Sequence, residues 1–171
     1  MERGLPDGGY WIEPGRLAGG PFPGAPDVRE ARARLAALTR IGVRAFIDLT
    51  EPGERLDPYE HLLSELPGGS TPLYVRLPMR SGSAPTALGM AATLALIDHL
   101  LQADDGAIYL HCRRGTGRSA TVAGCRAVEL GRPLAELPAP RHAAQRRFVA
   151  GWSRQGPFMP RSGGRGPAGI R

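Results

Sequence analysis

The run His111-Cys112-Arg113-Arg114-Gly115-Thr116-Gly117-Arg118-Ser119 gathers a thiol, a guanidinium, a hydroxyl and two glycines within nine residues. An apolar stretch, 107–110, precedes it, and residues 118–130, almost wholly apolar beyond their first turn, follow. Strand, glycine-permitted loop and helix N-terminus in that order aim successive backbone N–H groups into one concavity, which is an anion site. The same partial positive charge, with Arg118 beside it, favours a thiolate at Cys112; cysteines so placed fall from ~8.5 to roughly 3.5–7.5. Arg118 can hold two phosphoryl oxygens bidentately. Cys112 could then attack phosphorus in line, giving a thiophosphate that water hydrolyses. Ser119 would donate to the thiolate as it leaves, and the amides of Arg113, Arg114, Gly115, Thr116, Gly117 and Arg118 would cradle the phosphate. His111 reads as fixing the loop rather than handling protons. A cysteine five residues before an arginine is weak evidence alone, because 22 of the 171 residues are arginine. The surrounding strand, glycines and helix carry the reading.

Those residues need a scaffold, and the rest of the chain supplies alternating elements. Residues 10–12 and 16–18 read as short edge strands. Asp27 and Glu30 make a capping box for a helix whose apolar face is Val28, Ala31, Leu35, Leu38 and Ile41, ended at Gly42. Residues 43–49 and 73–77 read as strands, 57–66 as a short helix, and 78–85 as a loop. The span 86–102 is apolar around most of a helical circumference, so it predicts a heavily buried helix. Residues 107–111 form a further strand, 118–130 a central helix, and a last helix runs from 139 or 140 to 152. Strands alternating with helices predict an α/β fold: a central, mostly parallel sheet flanked by helices.

Composition bounds the partners. Apolar residues are 42% and charged residues 22%, a globular mixture that excludes a fibrous or disordered chain. The net charge of +6 invites a nucleic-acid partner, but every basic residue is arginine and the chain has neither lysine nor asparagine. Both missing residues use A-rich codons, so part of the arginine count reads as coding bias, and no nucleic-acid partner is expected. Residues 1–155 read as one domain and 156–171, with three arginines, five glycines and no acid, as a flexible tail. The longest charge-free stretch, 81–97, is 17 residues, short of the roughly 20 a membrane span needs. Residues 1–4 open no apolar leader, so a cytoplasmic location is the expectation.

The signature His-Cys-x-x-Gly-x-Gly-Arg-Ser resembles that of the cysteine-based protein tyrosine and dual-specificity phosphatases. Its position, late in the chain after three clear strands, is similar to the compact dual-specificity type, including kinase-associated phosphatase. The similarity extends to 47–54 (IDLTEPGE), to Leu77-Pro78, and to Gln145, Phe148, Val149 and Trp152. The resemblance implies a three-layer fold of that type and a phosphorylated protein or other phosphomonoester as substrate. Phosphotyrosine comes first, then phosphoserine and phosphothreonine. It also implies no metal or organic cofactor.

Two departures from the family pattern stand out. Family members usually carry an aspartate in the loop after the 73–77 strand, where it protonates the leaving oxygen. Against Pro-x-x-Asp-x-x-x-Pro, the segment 78–85 places Ser81 there, and no acid occurs anywhere from 66 to 97. Losing such a catalyst costs about 10²–10⁴ in rate, or roughly 2.7–5.4 kcal/mol of barrier. A slow phosphate-binding module is therefore the rival reading, and Arg113 with Arg114 suggests a third, a phosphoinositide or RNA phosphatase. The second departure is a short 131–145 segment, where relatives carry a further helix. Gln145 reads as a plain polar helix residue ahead of an orienter of the hydrolytic water. Glu51, Glu54 and Asp57 read as solvated loop charges or a brace to an arginine ahead of a surrogate acid. Cys125 reads as a core thiol, and His61, His99 and His142 as surface or boundary residues without metal-ligand spacing.

Overall fold

The computed structural model describes residues 4–153; the glycine- and arginine-rich segment 156–171 lies outside them. Strands β1 (Tyr10–Glu13) and β2 (Leu17–Gly20) form an antiparallel hairpin. Helix α1 (Val28–Arg40) leads to β3 (Val43–Asp48), a 3₁₀ segment (Glu60–Glu65) and β4 (Leu73–Arg76). Helix α2 (Ala87–Ala103), strand β5 (Ala107–His111), helix α3 (Arg118–Leu130) and helix α4 (Ala143–Gly151) follow. The sheet order is β1-β2-β5-β3-β4, and every pairing after the first is parallel.

Strand β5 runs through the middle and is buried along its whole length, which is why its sequence is a continuous apolar run rather than an alternating one. The two-residue period still sorts its side chains. Ile108 and Leu110 pack with Leu94, Ile97, Val122 and Ala123 beneath α2 and α3. Ala107 and Tyr109 pack with Leu35, Leu38, Phe46 and Tyr59 beneath α1 and the 3₁₀ segment. Two cores, one on each face, make the fold three-layered. Each fully buried Leu, Ile or Phe contributes ~1.5–3 kcal/mol, so both layers hold the sheet firmly.

Local structure departs from the sequence reading in four places. Asp27 caps α1 by accepting the Arg29 N–H at 2.8 Å, but Glu30 pairs with Arg34 one turn on instead of closing a capping box; an i,i+4 cation competes for the same carboxylate. Residues 60–65 wind as a 3₁₀ segment rather than an α-helix, because Pro58 and Pro67 bound a stretch too short for repeated α turns. Strand β2 is an interior strand between β1 and β5, fully buried. Helix α4 begins at Ala143, since the Arg141 N–H is committed to Thr116 O at 2.8 Å, outside any helix.

The topology decides where a ligand can sit. From the adjacent parallel strands β2 and β5, the chain leaves to α1 on one face and to α3 on the other. Such a divergence opens a crevice at the carboxyl ends of the strands, and the 112–117 loop lies there. Among the described residues no helix is long and apolar enough to cross a membrane.

Helices α3 and α4 pack closely where Gly124 meets Val149: a Cβ on Gly124 would lie 2.7 Å from Val149 Cγ1. Gly124→Val is expected to destabilise the fold by about 1–3 kcal/mol, read as a lower urea midpoint, and to loosen phosphate binding by displacing α4.

Candidate active site

Cys112 follows the last residue of β5 and is 3% exposed. Burial alone would push its thiol up. The Ser119 hydroxyl and the N–H groups of Ser119, Arg114 and Gly117 outweigh that and hold the pKa below the ordinary value. The lowering therefore comes first from Ser119, wholly buried at the first turn of α3, and then from the loop and helix amides.

The loop is clamped from behind by the N-terminal hairpin. Tyr10 OH donates to Gly115 O at 3.0 Å, Pro21 bridges to Arg114, and the Phe22 N–H reaches Arg113 O. Gly115 has φ +75° and lies against β2 so closely that a Cβ would sit 2.7 Å from Gly20 C. Only glycine meets both conditions. Gly115 thus shapes the loop from its rear, while Arg113, Arg114, Thr116, Gly117 and Arg118 line the mouth with Cys112.

Arg118 is 4% exposed. Its Nη1 donates to Leu49 O and Met79 O, both at 3.1 Å, and its two terminal nitrogens grip the Glu54 carboxylate. The hydrogen bond from Arg118 is the main reason Glu54 ionises below the usual carboxylate range. Glu54 is thus a brace that fixes the guanidinium at the site, and a carboxylate so held is a poor proton donor. Glu51 accepts the Ser81 N–H at 3.0 Å and tethers the 78–85 loop. Asp57 is exposed.

Beneath the loop lies a buried polar cluster with little sequence signature. His111 is fully buried, its Nε2 bonded to Tyr59 OH and its Nδ1 3.8 Å from Asp48 Oδ1. Burial is the chief cause that pushes His111 down to about 4, with the Asp48 charge opposing it. Asp48 accepts from Thr50 N–H and Oγ1, from Tyr74 OH at 2.7 Å, and from Arg76. Burial opposes its ionisation, but His111, Thr50 and Tyr74 hold it below the ordinary carboxylate value. Register explains the assembly: Asp48 stands opposite His111 on one side and Arg76 on the other. The motif 47–54 contained Asp48 and Glu54, but only strand pairing and loop closure show what they touch.

The cavity over Cys112 has a volume of about 300 Å³. One wall is Ser81 and Gly82, so Ser81 does border the site; the other is Arg141, His142 and Gln145 from the start of α4. Gln145 is 1% exposed and donates to Ser83 O at 3.2 Å, so the short 131–145 segment still delivers it to the cavity. His142, which the sequence offered only as a surface or boundary residue, is exposed and borders the same space. Cys125 lies in the core under α3, where burial pushes its thiol up to about 12. A cavity with an ionisable thiol, a fixed arginine and converging amides can bind a tetrahedral dianion and present sulfur to its centre.

This fold and loop are those of the cysteine-based tyrosine and dual-specificity phosphatases. A family model described as "Polymorphic toxin system, DSP-PTPase phosphatase" matches residues 24–132, and the chain belongs to that family. Solved structures of the same fold include Tk-PTP in its active form, at 18% identity over 85% of this chain and 96% of that one, TM-score 0.67. A putative phosphatase from Shewanella putrefaciens CN-32 aligns at 16% identity over 85% and 93%, TM-score 0.63. PTPMT1, in complex with PI(5)P, aligns at 16% identity over 84% and 92%, TM-score 0.61. No curated protein matches the sequence.

The depressed His111 has a measurable consequence. Between its ordinary value near 6.5 and about 4, the unfolded chain binds a proton there that the folded chain refuses. Stability is fully present above the unfolded value and is lost as pH falls through that window, by on the order of 3 kcal/mol for this group. Urea titrations from pH 7 to 4 are expected to show His111→Gln with a shallower pH dependence than wild type.

Proposed function

We propose that this phosphatase hydrolyses phosphate monoesters through a cysteinyl-phosphate intermediate, with protein phosphotyrosine as the foremost substrate and phosphoserine and phosphothreonine behind it. The observation that carries the reading is the lowered pKa of Cys112 inside a loop of converging amides, facing a cavity floored by Arg118. A buried thiol with no anion to hold would not need that arrangement.

The Arg118 guanidinium and the 113–118 amides bind the phosphoryl oxygens. Cys112 Sγ attacks phosphorus, the S–P bond forms, and the ester P–O bond breaks. Water then attacks the thiophosphate and releases phosphate, with the Ser119 hydroxyl stabilising the departing thiolate. Gln145, held at the cavity wall by Ser83, is placed in this scheme to orient that water. Glu54 acts through Arg118 as a positioning residue. The charge the reaction needs comes from amides and arginine, so the scheme requires no metal or organic cofactor.

The rival is a phosphate-binding module with slow turnover. What favours it is the cavity lining, which among the described residues contains Ser81 and no carboxylate. Phosphoinositides are a narrower substrate alternative: PTPMT1, of the same fold, is seen with PI(5)P, and Arg113 and Arg114 at the mouth would suit a second phosphate.

The decisive assay is phosphate release from 4-nitrophenyl phosphate combined with acid-quench trapping. Wild type should accumulate a covalent phosphoprotein. Cys112→Ser should lose both that species and turnover by several orders of magnitude. An unchanged rate in Cys112→Ser would overturn the phosphatase mechanism.

A further inference from the structure

The 78–85 loop brings no carboxylic acid to the cavity, yet the leaving oxygen of an unactivated ester must still be protonated. Among the described residues, the cavity lining holds Ser81, Gly82, the phosphate loop with its arginines, Arg141, Gln145 and His142. Arginine does not give up its proton near neutral pH, a serine hydroxyl is too weak an acid, and an amide is no acid at all. The thiol of Cys112 is the nucleophile. Imidazolium is the remaining proton donor, and histidine is the side chain suited to general acid–base work in that range.

The placement of His142 fits this duty. A Cβ built on Gly82 would lie 3.8 Å from both Cε1 and Nε2 of His142. The ring therefore stands beside Gly82, the residue next to Ser81, and lines the same cavity as the thiol. Its backbone is fastened on both sides. The preceding Arg141 N–H binds Thr116 O of the phosphate loop, and Gln145, three residues on, binds Ser83 O of the 78–85 loop. His142 is the N-cap residue of α4, but its side chain makes no capping bond to that helix. The imidazole is thus held at a tether point between the two loops without a structural hydrogen bond of its own.

We propose that His142 is the general acid and base of the reaction, supplying from α4 the proton that relatives of this type draw from an aspartate at the Ser81 position. The proposal rests on the phosphatase reading above. In the first step the Cys112 S–P bond forms as the ester P–O bond breaks; that electron pair goes to the leaving oxygen, which takes the imidazolium proton and departs as the alcohol. In the second step neutral imidazole accepts a proton from water as its oxygen attacks phosphorus. The S–P bond breaks, the thiolate returns, and imidazolium is restored. The groups that line the same cavity are Arg113, Arg114, Arg118, Arg141, Cys112, Gln145 and Ser81.

The test is a leaving-group series of aryl phosphates, 4-nitrophenyl, phenyl and 4-methylphenyl, on wild type, His142→Gln and Glu51→Gln. His142→Gln should lose about 10²–10⁴-fold in kcat/KM, which reads the P–O cleavage step, on phenyl and 4-methylphenyl phosphate, with a clearly smaller loss in kcat/KM on the nitrophenyl ester. It should also lose the alkaline limb of the kcat–pH profile, and added imidazole should restore part of the rate in His142→Ala. A parallel loss across the series, or a steepening seen with Glu51→Gln and not with His142→Gln, overturns the assignment. The two readings fail separately. If wild-type release of 4-nitrophenolate does not depend on Cys112, the phosphatase mechanism itself falls. If it does, and the series stays parallel, only the role of His142 falls.

Discussion

A thiolate buried under a protein surface is tolerable only where fixed positive charge replaces the water it has lost. That constraint organises this molecule. The compensation comes from N–H groups at the start of α3 and from Arg118, and each must be held where it is useful before any ligand arrives. The amides are held because β5 is buried along its whole length and α3 from Arg118 through Ala127. The guanidinium is held because Glu54 and the carbonyls of Leu49 and Met79 take its hydrogen bonds. A buried arginine without those acceptors would itself be costly, so the loop after β3 is as much a part of the phosphate site as the loop after β5.

The same logic runs through the layer beneath. His111 stays neutral because it is enclosed by the rings of Phe22, Tyr59 and Tyr109. Asp48 stays charged because hydroxyls and Arg76 surround it. These two residues tie the ends of β3, β4 and β5 together beneath the 112–117 loop. The N-terminal hairpin supports the loop from behind through Tyr10, Pro21 and Phe22. Three separate segments of chain therefore converge on six loop residues, and a rigid loop keeps its N–H groups aimed at one point.

Much of this was legible from residue order. Alternating strands and helices gave the α/β architecture with its mostly parallel sheet, and the nine residues from His111 to Ser119 marked the candidate site, because a strand–loop–helix with glycines is a local device whose parts adjoin in the chain. What the sequence misjudged was mostly short-range and competitive: Glu30 chose Arg34 over a backbone N–H, and 60–65 was too short for an α-helix. What it could not rank were the charges of 47–57. Asp48, Glu51, Glu54 and Asp57 look alike on paper, yet one underlies the 112–117 loop, one tethers the 78–85 loop, one braces Arg118 and one faces solvent.

The sequence by itself determined the nucleophile candidate, the candidate phosphate-binding arginine and the lack of an acid at Ser81, since each depends on residue type at a fixed offset from a strand or helix end. The tertiary structure alone decided which distant side chains share that space. Gln145 and His142 reach the cavity because Arg141 binds Thr116 and Gln145 binds Ser83, contacts that no local periodicity encodes. A helix start brought back across more than twenty residues can present a histidine to a site as well as a neighbouring loop can. The packing of α4 on α3, through Gly124 and Val149, holds that start beside the loop.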